Sequence, residues 1–319
     1  MKKALITGIA GFAGSFLAQH LLQSSDYQIT GVHISEVGLE NLAHIRQKLT
    51  LAKINLLDFT AVSKLISETK PDEVYHLAAL TSPSESFTNP SEVVTNNITA
   101  QLNILEALKA SKQFSARVLV ISSADVYGLV DEKDLPIDEQ TPLRPTNPYA
   151  VSKIAQDFFG LQYFLSYGMP IVRVRPFNHI GPRQSPRFVI ASIAKQIVDI
   201  EKSKVEPVIK IGNTQAKRDF TDVRDIVCAY QLALEKGAPG DVYNIGSGAS
   251  HTISAVLQSL LSFSRVKITI EADRERLRPS DNPSLVCDST KFEALTGWKA
   301  HIPLEQTLKD TLDYWRSLP

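Results

Sequence analysis

The chain has 319 residues, 43% hydrophobic and 21% charged, with 34 basic side chains set against 34 acidic ones. That length suits two domains, or one core with a sizeable insertion, and the apolar content supports a large ordinary interior. The balanced charge argues against nucleic acid or an anionic membrane as a partner, and no stretch approaches the length of a membrane span.

The opening residues MKKALITG are interrupted by Gly8, Gly11 and Gly14 and lead into no cleavage pattern, so they read as a strand and turn rather than a leader. The expected location is cytoplasmic. Residues 4–7 form a short apolar run ending in glycines, a buried strand, and residues 12–23 have helical spacing. Further strands are expected at 27–32, 52–56, 74–78 and 118–122. A helix over 94–110 lies between the last two, with Val94, Ile98, Leu102, Leu105 and Leu108 on one face. Asn147 as N-cap and Pro148 at the first helical position open another helix that stops at Gly168, followed by a strand at 171–175. Residues 242–245 look like one more strand of the same sheet. Beyond them come a helix marked by Ile253, Val256, Leu257, Leu260 and Leu261, a strand at 266–271, and a terminal helix marked by Leu304, Leu308, Leu312 and Trp315.

Strands alternating with helices give an α/β fold, a doubly wound parallel sheet of Rossmann type, with a smaller mixed α/β substrate-binding domain. The dinucleotide-binding domain is expected over 1–175, also taking in about 221–248. The substrate-binding domain is expected over 176–319, discontinuous, mainly 176–220 and 249–319. Cys228 and Cys287, the two cysteines, suit small buried side chains better than a disulfide.

Gly8, Gly11 and Gly14 fall between the first strand and the first helix, with Phe12 and Ala13 among them. Glycines there let a pyrophosphate approach backbone, and the helix start supplies amide donors and a favourable dipole. Asn55, beside Leu56, is either a contact to the adenine edge or a turn asparagine. Leu77, Ala78 and Ala79 end the fourth strand, where small residues either make room for a dinucleotide or simply pack. A carboxylate closing the second strand would hold a ribose 2′-hydroxyl. His33 stands there instead, followed by Ser35, which leans towards NADP(H); Glu36 still leaves NAD(H) open.

Tyr149 and Lys153 lie four residues apart on one helix and share a face. A phenol is a weak acid near neutral pH, and a neighbouring ammonium should lower its pKa. Of the nine tyrosines, Tyr149 alone has lysine four residues on. Ser123 closes the fifth strand, where open α/β sheets place ligands, within reach of the same substrate oxygen. No histidine, cysteine and carboxylate set has metal-ligand spacing, so no metal is expected.

The segments TGIAGFAG, HLAA, SSADVYG, YAVSK, RPFNHIGP, RDFTDVRD, YNIGSG and RLRPSDNP follow one another along nearly the whole chain. In that order they resemble the extended short-chain dehydrogenases/reductases that act on nucleotide sugars. The resemblance implies that Ser123, Tyr149 and Lys153 are the catalytic groups and that Asn97 is structural. RPFNHIGPRQSPRFV, AKQIVDIE and RDFTDVRDIV are most similar to the branch that reduces the C4 ketone of GDP-4-keto-6-deoxy-mannose, giving GDP-rhamnose. It implies a GDP-linked 6-deoxyhexose as substrate and a homodimer paired through a four-helix bundle, although the same helix faces would also serve internal packing.

Dehydratases of this family carry an acid/base pair directly after the strand-end hydroxyl. Here Ala124 and Asp125 stand there, and alanine donates no proton. Asp125 is either a sugar contact or a solvated turn acid. A 4-epimerase uses the same three groups and stays open. Asn178 is a candidate for orienting the sugar. Arg218 and Arg278 are pyrophosphate clamps by resemblance, their planar forks being suited to that role. Arg183, Arg187 and Asp281 are lesser candidates, and His179 reads as structural.

Overall fold

A computed structural model of the protein describes residues 1–24, 26–273 and 282–319. The chain starts in the middle of its main sheet with β1 (Lys2–Thr7), whose last four residues are buried. It then steps outward through α1 (Phe12–Gln23), β2 (Tyr27–His33) and β3 (Leu49–Lys53). After α2 (Phe59–Thr69) it crosses back to β4 (Glu73–His76) on the other side of β1. From there α3 (Pro83–Thr88) and α4 (Pro90–Ala110) lead to β5 (Arg117–Ile121), and α5 (Pro148–Tyr167) leads to β6 (Ile171–Pro176).

Downstream lie β7 (Asn178–Ile180), α6 (Val189–Glu201), β8 (Val208–Ile211), β9 (Lys217–Asp222) and α7 (Val223–Lys236). β10 (Val242–Ile245) then completes a seven-stranded sheet in the order β10-β6-β5-β4-β1-β2-β3, parallel at every pairing. The remaining elements are β11 (Ser250–Thr252), α8 (Ile253–Ser262), β12 (Thr269–Ala272), α9 (Thr290–Thr296) and α10 (Leu304–Ser317). They join two small sheets, β11-β9-β7 with one antiparallel pairing, and β12-β8.

Helices cover both faces of the main sheet, so its central strands are buried on both sides. Leu17, Leu21 and Ile6 on one face pack with Ile226, Ala233 and Leu234 of α7. On the other, Leu5, Val74 and Val118 pack with Val62 and Ile66 of α2 and Ile104 and Leu108 of α4. A separate apolar cluster ties α6, α8 and α10 together through Ile193, Ile197, Leu257 and Leu312. Among the described residues no helix is long and apolar enough to cross a membrane.

Two strands sit apart from their expected places. β3 spans 49–53 rather than 52–56, because Ile54-Asn55-Leu56 leaves the sheet: Asn55 Oδ1 accepts from the Leu57 amide at 3.0 Å and turns the chain. β12 starts at Thr269 rather than 266, since Ser264 Oγ takes the Val266 amide in a local turn. The expectations also lacked α3, α7 and α9, and with them α2 and α6. The apolar positions of these last two, Val62-Leu65-Ile66 and Ile190-Ile193-Ile197-Ile200, carry a helical period that was there to be read.

Candidate functional site

The strand order reverses at β1, where β2 lies on one side and β4 on the other. Ligands of open α/β sheets occupy the crevice above such a point. A cleft of about 880 Å³ opens there, with Gly8, Gly11, Phe12, Ala13 and Gly14 along one wall. Gly8 has φ +69°, and a Cβ on it would come within 2.9 Å of the Ala78 amide nitrogen. A Cβ on Gly14 would lie 2.3 Å from the Gly8 carbonyl oxygen. Both positions therefore demand glycine. Gly11 starts α1 with no side-chain cap and no acid in the first turn, so the leading amides keep their capacity for an anion. This cradle fits a dinucleotide pyrophosphate.

The floor is pinned by Thr7, whose hydroxyl accepts from the Ala78 amide at 3.1 Å and pairs with His76 Nδ1 at 2.9 Å. Burial, with the charge of Lys153 nearby, lowers His76 to about 3. Leu77, Ala78 and Ala79 all line the cleft. So does His33, whose Nδ1 donates to the Ser35 carbonyl at 3.0 Å. Asn55 and Leu56 do not line it: the asparagine serves its turn and Leu56 packs inward.

Ser123, Asp125, Tyr149 and Lys153 come together across the cleft. Asn147 caps α5 by accepting from the Ala150 amide at 2.8 Å, and this fixes the turn that carries Tyr149. Tyr149 is 7% exposed and Lys153 4%. Lys153 Nζ donates to the Ile121 carbonyl at 2.8 Å and lies 5.9 Å from the centre of the Tyr149 ring. Asn97 braces this corner, accepting from the Leu80 amide at 2.7 Å and donating to Ser152 Oγ at 3.0 Å.

The electrostatics run against the expected direction. Burial and the charge of Asp125 push the Tyr149 phenol well above its usual range, while a hydrogen bond with Ser123 pulls the other way. Burial brings Lys153 down to about 7. Burial dominates both shifts, and the Lys153 ammonium is held by a carbonyl rather than by the phenol.

The opposite wall comes from the small sheets. Asn178 opens β7 and Arg218 lies on β9; both line the cleft. Arg218 donates to the Lys217 and Asn282 carbonyls at 2.8 and 2.7 Å. Next to it, buried Asp219 accepts from the amides of Ser247, Gly248 and Cys287 at 2.9, 2.9 and 3.1 Å, knotting three segments together. Arg187 lines the cleft and pairs with Glu85 at 2.9 Å. Arg183 instead lies over the Phe16 ring at 4.4 Å, away from the cleft. His179 stacks on Phe12 at 5.8 Å, and burial lowers its pKa. Arg278 and Asp281 lie outside the described residues. Sequence reasoning missed Ser192 and Gln196 of α6, and Lys210 and Asn213 around the end of β8, all of which line the cleft.

The profile of the family described as GDP-mannose 4,6 dehydratase matches residues 5–311. The chain is 35% identical to the GDP-6-deoxy-D-mannose reductase of Pseudomonas aeruginosa, over 99% of this chain and 98% of that one. Its structure is similar to that of RMD from Pseudomonas aeruginosa complexed with NADPH, with a TM-score of 0.86 at 34% identity and 99% of each chain covered. It is also similar to a Thermus thermophilus UDP-glucose 4-epimerase in complex with NAD, with a TM-score of 0.87 at 27% identity and 99% of each chain covered.

Proposed function

Since the chain belongs to the GDP-mannose 4,6 dehydratase family, within the extended short-chain dehydrogenases/reductases, we propose that this oxidoreductase reduces the C4 ketone of GDP-4-keto-6-deoxy-D-mannose to GDP-D-rhamnose with NADPH. One observation carries the choice of reaction. Between Ser123 and Asp125 the cleft wall presents the methyl group of Ala124, where the dehydratases of the family place a proton-transfer group. Without it, loss of water from C5 and C6 lacks one of its two partners, while ketone reduction needs nothing more than is present.

A dinucleotide held in the cradle of Gly8, Gly11 and Gly14 would supply hydride to C4. Tyr149 Oη gives its proton to the oxygen that becomes the alcohol, and Ser123 Oγ donates a hydrogen bond to that oxygen. A phenol held above its ordinary pKa is fully protonated at neutral pH, which is the form a donor requires, and Asp125 reinforces it. Lys153, lowered to about 7 and held by the Ile121 carbonyl, exchanges protons readily near neutrality and sits one helical turn from Tyr149, where it can take part in restoring the phenol's proton. Arg218 holds the pyrophosphate of the sugar nucleotide and Asn178 orients the sugar. NADPH is favoured because His33 stands where an acid would repel a 2′-phosphate and because Glu36 turns aside to Lys53.

The subunits pair through α4 and α5. Val151, Phe158 and Leu165, seven residues apart on α5, are 48%, 50% and 71% exposed, a seam of coiled-coil period that a second copy would cover.

Purified protein given GDP-4-keto-6-deoxy-D-mannose and NADPH should oxidise one NADPH per sugar converted, with the product identified by NMR. Absence of NADPH oxidation with this ketone would overturn the reductase reading in favour of an epimerase or a dehydratase, which act on sugar nucleotides not yet oxidised at C4.

A further inference from the structure

β2 and β3 run side by side with Val32 opposite Ala52 and His33 opposite Lys53. Opposed residues on neighbouring strands project from the same face. Lys53 therefore stands beside His33, and His33 lines the cleft together with Ile34, Ser35 and Val37. The end of the second strand is where a doubly wound sheet meets the 2′ position of the adenosine ribose. His33 is poorly equipped to hold a phosphate there. Its Nδ1 is committed to the Ser35 carbonyl, so a single ring nitrogen, Nε2, is left to face a ligand.

Lys53 Nζ pairs with Glu36 at 3.2 Å, and the two side chains are 61% and 69% exposed. An ion pair so open to water contributes little and is easily exchanged. A phosphate group offers an ammonium more charge and more acceptor oxygens than one carboxylate does. We propose that Lys53 is the residue that selects a 2′-phosphorylated dinucleotide, and that Glu36 is the counter-ion it releases when that phosphate arrives. This assignment rests on the reading that the protein uses NADPH.

The test is equilibrium binding of NADPH and of NADH to the intact protein stripped of nucleotide, followed by the fluorescence of the reduced nucleotides. Lys53→Gln should weaken NADPH about tenfold while moving NADH less than about twofold. Lys53→Arg should keep the preference, and Glu36→Gln should tighten NADPH about threefold by removing the competing carboxylate. Salt should weaken NADPH more steeply in the unmodified protein than in Lys53→Gln. Unchanged NADPH affinity in Lys53→Gln, or equal losses for both nucleotides, overturns the assignment. Equal affinity for the two nucleotides in the unmodified protein overturns the NADPH preference, and the assignment with it. Because no sugar is present, failure of the reductase reading leaves this comparison intact and is seen separately in the turnover assay.

Discussion

The two walls of the cleft are built on different physical terms. The dinucleotide wall rises from strand ends of one parallel sheet, and its working groups are buried or held by backbone: Lys153 on the Ile121 carbonyl, Thr7 on the Ala78 amide, Gly8 and Gly14 in places no side chain fits. The sugar-side wall is assembled from short strands distant in sequence, and Arg218 reaches it through carbonyls of Lys217 and Asn282. Chemistry common to a whole family can be fixed by local strand-helix geometry, whereas recognition of one substrate depends on long-range pairing.

If that contrast is right, damage to the first wall should cost turnover or stability, and damage to the second should cost affinity. The largest effect is expected from Tyr149→Phe, which removes the proton donor: kcat should fall by about a thousandfold with NADPH affinity unchanged, as steady-state kinetics and nucleotide titration would show. Near-normal turnover would dissolve the distinction.

Next comes acid stability. His76 is held neutral in the folded protein with its pKa lowered to about 3, while the unfolded chain takes up a proton near the ordinary value of 6.5. The unfolded state then binds more protons between those limits, so stability is full above pH ~6.5 and is lost as the pH falls towards ~3. Urea unfolding should give a stability about 2–3 kcal/mol lower near pH 4.5 than near pH 7, and His76→Gln should remove most of that difference.

The smallest effect belongs to the sugar side. Arg218→Lys keeps the charge but loses the planar fork, and should raise KM for the sugar nucleotide about tenfold at nearly constant kcat. A fall in kcat without a change in KM would place Arg218 with the reacting groups instead.

The same contrast explains what could be read from the chain before folding. The glycine turn, the Ser123 strand end and the Tyr149/Lys153 helix are short-range patterns with one geometric meaning, and all converge on the cleft. Strand β10 was legible because Val242, Tyr243 and Ile245, three sheet-favouring residues in a run of four, are bounded by turns. Asn55 was not, since its use in a turn rather than at the cleft depends on where β3 stops. Ser192, Gln196 and Asn213 were not legible either. They become neighbours of the cleft when α6 and the loop after β8 fold over it, and no local signal distinguishes them from other polar surface residues. The acid-base balance of the Tyr149/Lys153 pair was misjudged from spacing, because burial, which a sequence does not display, outweighs proximity.

Helix α5 faces two ways. The flank that presents the phenol to the cleft is backed by a flank whose Val151, Phe158 and Leu165 remain largely open to water in a single subunit. In the proposed dimer the neighbouring copy would act as a buttress for the catalytic helix, and mass action would then govern how rigidly the phenol is held. Dilution below the dimer dissociation constant would erode specific activity before it loosened the glycine cradle, which belongs to α1 and not to α5.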